Sequence, residues 1–390
     1  MIHNYALSSV QLEEIRKSRS VRKKLAYGSH LFFFSIYLSH YIKYEFAPFH
    51  YKMFEITEDT NTQLTALTAF RDSGKSTIFT TSFPIWAITG ILKKKFVVIA
   101  SQTQAQAKKH LLNVKKELES NLLLKSEIGP FKEESNQWAS DTIVLSKHGA
   151  RTMAVSTEQS IRGIRHGEYR PDLIICDDVE DSNSVKTMEQ RDKTWDWFNS
   201  EVVPIGSKGT KVVVVGNLLH IDSLIMRLKK AGIKYLEFPL IDDNKIIKWP
   251  GKFPSQEDIE KLRASVPSET AWYKEYLLKI IPDEDRIIKR SDIYYYDELP
   301  DFEKDPPRLI AVGTDLAISL KENADFTAIV SAYVTGYGKN LKVYILPHVV
   351  NKRLSFTETV NELKKLEEMF FIRYKRHAKI YVEKISYQEV

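Results

Sequence analysis

The run Ala69-Phe70-Arg71-Asp72-Ser73-Gly74-Lys75-Ser76-Thr77 has the residue types and spacing to hold a nucleoside triphosphate. A β-type run, Gln63 to Thr68, precedes it, and a helix-compatible run, Ser76 to Thr89, follows. Strand, tight loop ending in Gly-Lys-Ser, then helix is how a P-loop binds phosphate. The loop N–H groups and the helix N-terminus face the anion, the lysine reaches the β- and γ-phosphates, and the serine hydroxyl ligates Mg²⁺. Lys75 and Ser76 occupy those positions, with Arg71, Asp72, Ser73, Gly74 and Thr77 completing the loop. Ala69 stands where the usual pattern has glycine, and Arg71 adds a positive charge that could act in cis.

A complementary signal lies downstream. Leu173-Ile174-Ile175-Cys176-Asp177-Asp178 is an apolar run ending in acids, a Walker B pattern. Such a strand delivers its acid to the carboxyl edge of a sheet, where Mg²⁺ bound to the phosphates sits. Asp177 is placed to hold the metal, Asp178 to polarise the attacking water, and Glu180 to serve in its stead. Gly216-Asn217 follows the apolar run 211–215, so Asn217 is either a γ-phosphate sensor or part of a plain turn. Arg162 and Arg165 precede the Walker B run. Either could act as an arginine finger on a neighbouring subunit, or both could belong to a basic or DNA-facing surface loop.

Three further acids follow apolar runs or precede one. Asp315 ends Gly313-Thr314-Asp315, Asp325 begins the next run, and Glu383 ends Ile380-Tyr381-Val382. Carboxylates converging from separate strands can hold two divalent ions, Mg²⁺ or Mn²⁺, about 3.5–4 Å apart for phosphodiester cleavage. Strands often end in Asp or Glu, so these acids alone do not select that chemistry.

Positioning these groups requires an α/β fold. Residues 1–58 read as a helical region, with Gln11 to Tyr27 polar and basic and Leu31 to Tyr44 more apolar. Residues 59–241 alternate strands and helices, as in a P-loop ATPase core with a mostly parallel, covered sheet. Thr142 to Leu145 and Arg151 to Val155 suit a hairpin. The strand containing Val97 to Ala100 lies between the two motifs, an insertion found in motor-type ATPases. Small nucleotide kinases and GTPases instead pair the motif strands directly. Residues 242–305, rich in proline, read as a small helical subdomain and linker. Residues 306–390 begin a second α/β domain of three strands, a helix and a fourth strand.

Length and composition agree with this division. The 390 residues exceed one typical domain, and 43% hydrophobic content suffices for packed cores. The formal net charge of +6 is compatible with nucleic acid or with a lysine-rich enzyme surface. Cys176 is the one cysteine, which excludes an internal disulfide and a cysteine-based zinc cluster and fits a reducing compartment. The first 30 residues are too polar for a secretory signal, and His40 and Lys43 interrupt the aromatic run. No membrane association is expected.

The chain resembles the large terminase subunit of tailed double-stranded DNA bacteriophages or their prophages. The resemblance rests on Arg71-Asp72-Ser73-Gly74-Lys75-Ser76, the Gly163 to Asp178 block with its arginines and acidic pair, Gly216-Asn217, Gly313-Thr314-Asp315, Asp325 and Val382-Glu383. It covers nearly the whole chain, and the order of domains matches. It implies a motor-type ATPase followed by the start of a ribonuclease H-like nuclease. It also implies packaging of double-stranded DNA: a homo-oligomeric ring on the portal protein pumps DNA into a procapsid, helped by a small terminase subunit, in the cytoplasm of a bacterial host. ATP and Mg²⁺ serve the motor. Mg²⁺ or Mn²⁺ serves the nuclease at Asp315 and Glu383, with Asp325 a further candidate ligand.

The departures matter too. Asp178 replaces a glutamate common among relatives, and no adenine-contacting glutamine is placed, with Tyr51 and Lys52 near its expected position. A third nuclease acid is expected well after Glu383, yet the chain stops at Val390. The expectation is therefore a truncated nuclease, by design or in a decayed prophage, beside a complete ATPase. Two rival readings follow from the same residues: a helicase-like or DNA-repair ATPase, and a non-catalytic DNA-binding or assembly protein that keeps nucleotide as a structural ligand.

Overall fold

The computed structural model describes residues 9–131, 138–280, 293–301, 303–304, 306–316 and 326–382. Its internal contacts divide the chain into two units, residues 1–287 and 288–390.

The first unit is built on seven strands: β1 (Leu64–Ala69), β2 (Phe96–Ser101), β3 (Thr142–Leu145), β4 (Ala150–Ser156), β5 (Leu173–Asp177), β6 (Lys211–Gly216) and β7 (Lys234–Phe238). Their order is β3-β4-β2-β5-β6-β1-β7. Every neighbouring pair is parallel except the β3–β4 hairpin. The motif strands β1 and β5 do not pair with each other, as expected of a motor-type sheet. The strand between them, however, is β6, and β2, which holds Val97 to Ala100, flanks β5 on the far side. Order along the chain could not distinguish these two placements, because a crossover can return beside the strand it left, as from β5 to β6, or skip over others, as from β1 to β2.

Side-chain alternation explains why both faces are covered. Val213 and Val215 of β6 enter one apolar cluster, and Val212 and Val214 enter the other. Burying each such valine stabilises the fold by roughly 1.5–3 kcal/mol. The first face carries the helices Gln104–Ser120 and Pro48–Glu58, and the second carries Met188–Trp197 and Leu224–Lys230.

The N-terminal region differs in detail from its expected shape. In place of one helix to Tyr27 there are two, Ser9–Lys17 and Arg19–Gly28, divided at Ser18. The Ser18 hydroxyl accepts the Val21 N–H at 3.4 Å, a cap that starts the second helix. The aromatic run forms a shorter helix, His30–Tyr37, and then a 3₁₀ turn, Ser39–Tyr41. His30 explains the polar note in that apolar run. Its ring contacts the hydroxyls of Thr57 and Ser82 and stacks on Trp86.

Residues 242–280 pack on the first face. Trp249, Ile259 and Trp272 join its cluster, and the Trp249 indole donates to the Glu45 carbonyl at 2.7 Å. The Leu240 N–H donates to the Tyr276 carbonyl at 2.8 Å, fixing this return to the end of β7.

The second unit holds β8 (Leu309–Asp315), β9 (Thr327–Thr335), β10 (Lys342–Ile345), β11 (Val350–Lys352) and β12 (Lys379–Val382), in the order β10-β9-β8-β12 with β11 also on β9. β8, β9 and β10 run antiparallel, and β12 runs parallel to β8. The helix Phe356–Tyr374 supplies Leu366, Phe370 and Tyr374 to a core with Ile310, Val312 and Ile329. Among the described residues, no helix is long and apolar enough to cross a membrane.

Candidate nucleotide site

The site sits at the carboxyl edge of three adjacent strands. In the pairing register Thr68 is opposite Gly216, and Asp177 is opposite Val215. The P-loop after β1, Asn217 after β6 and the acids after β5 therefore emerge side by side. Ligands of open α/β sheets bind at such an edge.

The loop bends through two residues with positive φ, Asp72 at 65° and Gly74 at 83°. Aspartate tolerates that region, whereas at Gly74 any side chain would carry strain. The helix then opens at Lys75 and runs through a π-helical stretch, Thr77–Ser82, before Phe83–Thr89. The wider turn accommodates Pro84, which has no N–H for the preceding turn. His50 braces the loop from below. Its Nδ1 accepts the Ala47 N–H at 2.9 Å, so its Nε2 carries the proton and donates to the Ser73 carbonyl at 3.0 Å. Burial pushes the His50 pKa down to about 4, which keeps the ring neutral in this role.

Asp177 is fully buried, and neither carboxylate oxygen accepts a well-formed hydrogen bond, although the Ser76 hydroxyl is a donor close beside it. Burial raises its pKa, while the Lys75 charge and the Ser76 hydroxyl pull it back. His110 Nε2 lies 3.7 Å from Asp177 Oδ2 and is also buried without a partner. The Thr80 hydroxyl donates to the Ser76 carbonyl at 2.7 Å, so at 3.0 Å it accepts from His110 Nδ1. That leaves the Nε2 lone pair facing the carboxylate. Acceptors buried together without donors are costly unless a cation or a water satisfies them. Two carboxylate oxygens and a nearby hydroxyl suit a hard divalent ion. The donor set at Asp177 and Ser76 thus fits the magnesium expected there.

The cations of the loop are engaged by neighbours. Lys75 Nζ donates to Asn217 Oδ1 at 2.6 Å and to the Ala69 carbonyl at 3.5 Å. Asn217 Nδ2 donates to Glu275 Oε2 at 3.0 Å, and Arg71 Nη1 lies 3.7 Å from the same oxygen. The Arg71 N–H donates to the Glu275 carbonyl at 2.7 Å. Asp72 is paired with Lys252, whose ammonium also lies over the Trp249 ring.

Asp178 adopts a positive φ of 47°, with its N–H on the Val215 carbonyl at 3.1 Å. Burial and the adjacent Asp177 charge raise its pKa to about 6. Glu180 is committed elsewhere. Both of its oxygens accept the Leu224 N–H at 2.9 Å, at the start of the helix Leu224–Lys230. Burial raises its pKa to about 7. Arg162 and Arg165 are exposed on the β4–β5 loop. With Arg170 and Glu201 they line a surface cleft of about 180 Å³, and Arg162 lies 3.9 Å from Glu201. The structure therefore brings Lys75, Ser76, Asp177, Asp178, Asn217 and Arg71 to one edge, gives Glu180 and Arg162 other partners, and leaves Arg165 on the surface cleft.

In the second unit Asp315 ends β8 beside an open hollow of about 490 Å³, which Thr314, Tyr381 and Val382 also line. Val382 pairs with Thr314. Asp325 and Glu383 lie outside the described residues. No cluster of three metal-ligating side chains forms among the described residues.

Four residues of the first site carry no motif signal: His50, His110, Lys252 and Glu275. His110 had a faint one. It falls on the same helical stripe as the buried residues Ala107, Leu111 and Val114, an odd place for a polar ring.

No protein-family model matches the sequence, and no curated protein matches it. The fold does have likenesses among solved structures. One is the large terminase of bacteriophage HK97, at 15% identity and a TM-score of 0.44, covering 87% of this chain and 70% of that one. Another is the large terminase of a thermophilic bacteriophage in complex with ADP, at 12% identity and a TM-score of 0.39, covering 87% of this chain and 77% of that one. A third is the ATPase domain of a Thermus phage large terminase, at 11% identity and a TM-score of 0.37, covering 57% of this chain and 90% of that one.

Proposed function

We propose that this chain is an ATP-hydrolysing motor that translocates double-stranded DNA into a viral procapsid. The observation that carries the reading is Asp177, a buried carboxylate with no well-formed hydrogen bond, set beside Lys75 and Ser76 of the phosphate loop. The terminase resemblance of the sequence supplies the packaging role.

In this reading Lys75 and the loop N–H groups bind the β- and γ-phosphates, and Ser76 Oγ with Asp177 would hold the magnesium ion. That ion neutralises charge on the phosphate oxygens. Asp178 orients the attacking water and takes up its proton, for which a pKa near 6 is well matched. Arg162 or Arg165 of a neighbouring copy stabilises charge on the transferred phosphoryl group, which calls for a homo-oligomeric ring. Asn217 registers loss of the γ-phosphate, and residues 242–280 receive the signal. DNA is gripped through its phosphates, so the grip weakens as salt rises.

The second unit is the start of a ribonuclease H-like nuclease. Antiparallel β8, β9 and β10, with the short β11 added on β9, then a helix and β12 parallel to β8 support that reading. Asp315 is its first metal ligand, and Asp325 and Glu383 are candidates for the others. Mg²⁺ or Mn²⁺ would serve cleavage of concatemeric DNA at these acids. Portal protein, procapsid and a small terminase subunit are the partners, in the cytoplasm of a bacterial host.

The test is ATP turnover by the chain with Mg²⁺, alone and with portal-bearing procapsids and linear duplex DNA. Turnover stimulated by procapsids, with DNA becoming protected from added nuclease, supports the motor. Stimulation by single-stranded DNA together with strand separation would replace it with a helicase. Tight ATP binding without turnover would leave a structural ligand.

A further inference from the structure

We infer that Glu275 is a positioning residue for the nucleotide site, one that holds the loop's two cations and yields them to the terminal phosphate of a nucleoside triphosphate. The inference rests on the ATPase reading above and names the residue that makes the site discriminate triphosphate from diphosphate.

Glu275 lies in the π-helical turn Tyr273–Leu277, beyond the last strand of the sheet and far in sequence from either motif. Its carboxylate nonetheless meets both. Arg71, in the loop, lies 3.7 Å from Glu275 Oε2, and Asn217 donates to the same oxygen at 3.0 Å. The Asn217 amide has its orientation fixed at both ends. Lys75 can only donate, so it meets Oδ1, and the Glu275 carboxylate can only accept, so it meets Nδ2. One carboxylate therefore serves two positive charges, Arg71 directly and Lys75 through an amide. It is also mostly shielded, with a side-chain exposure of 19% against 67% for Arg71.

A phosphate chain entering this loop needs the same two cations. The β-phosphate is cradled mainly by main-chain N–H groups, which the Glu275 carboxylate does not contest; the Arg71 N–H is held by the Glu275 carbonyl whatever side chain stands at 275. The γ-phosphate reaches farthest toward Lys75, and it brings a further negative charge near Glu275. Competition and repulsion both fall on the triphosphate. Removing the carboxylate charge should therefore favour ATP over ADP.

The experiment measures binding of ATPγS and ADP by calorimetry, with Mg²⁺, for the full chain and its Glu275→Gln and Glu275→Asp variants. Glutamine keeps an acceptor for Asn217 and removes the charge. We expect Glu275→Gln to tighten ATPγS by about tenfold and ADP by no more than about twofold, while Glu275→Asp stays close to wild type. In an Arg71→Ala background the gain from Glu275→Gln should shrink, because one of the contested cations is gone. Equal changes for both nucleotides in a folded Glu275→Gln protein would overturn the inference, since a merely structural residue affects the two alike. Failure of the wild-type chain to bind either nucleotide would be a different result, sinking the ATPase reading and this inference with it.

Discussion

The Lys75 ammonium and the Asn217 side-chain oxygen meet at 2.6 Å, joining the phosphate loop to the strand that separates the two motif strands. This bond gives the lysine a defined direction at the sheet edge. Lys75→Ala should lower ATP turnover by about 10²- to 10³-fold while far-ultraviolet circular dichroism stays unchanged. Wild-type turnover in that variant would remove Lys75 from the site.

Asn217→Ala separates binding from use of the nucleotide. The loop N–H groups remain, so ATPγS affinity should change by less than about fivefold, whereas turnover should fall by about tenfold or more. Steady-state kinetics beside equilibrium binding make the distinction. A variant that loses affinity and keeps its maximal rate would speak against a sensing role.

Asp177 is a buried carboxylate with no well-formed hydrogen bond, so its charge is costly while Lys75 and Ser76 alone offset it. Asp177→Asn should raise the melting temperature measured without nucleotide or metal. The same change should weaken Mn²⁺ binding, followed by electron paramagnetic resonance in the presence of ADP, and abolish turnover. A fall in melting temperature would mean that the carboxylate has a stabilising partner.

Glu180 supplies a pH signature. Its pKa is raised to about 7 from an ordinary 4.5, so the folded chain binds its proton more tightly than the unfolded one. Stability from this group is present at low pH and declines as pH rises from about 4.5 to about 7. Relative to wild type, Glu180→Gln should therefore gain stability across that window, by up to about 3 kcal/mol at pH 8. Urea unfolding of both proteins at several pH values reads it, and a difference that stays flat with pH would contradict the assigned shift.

His50 holds the loop through its neutral ring. His50→Phe keeps the aromatic packing but strands the Ser73 carbonyl and the Ala47 N–H. Stability should drop by about 1–3 kcal/mol, with a measurable loss of nucleotide affinity. Unchanged urea midpoints and affinity would show that solvent replaces both bonds.

The placement of the motif residues was readable because a strand, a tight loop and a helix restrict both residue type and spacing. Gly74, Lys75, Ser76 and Asp177 stand where strand-loop-helix logic puts them, and the apolar runs of β5 and β6 announced buried strands. Strand order was less legible. Nothing in Lys211–Gly216 itself says that it separates β1 from β5, because lateral neighbours depend on the crossovers. Glu180 read as a spare catalytic acid, yet its oxygens cap Leu224, a contact made across 44 residues. His110 was faint and Glu275 silent for the same reason. Their meaning lies in partners distant along the chain, Asp177 for one and Arg71 with Asn217 for the other.

The main-chain bond from Arg71 to the Glu275 carbonyl, at 2.7 Å, has an evolutionary consequence. No substitution short of proline at position 71 can delete it, so this main-chain bond survives drift at both positions. A deletion or insertion between Trp249 and Glu275 would instead move a different carbonyl opposite the loop. Related chains are therefore expected to conserve the number of residues between Trp249 and Glu275.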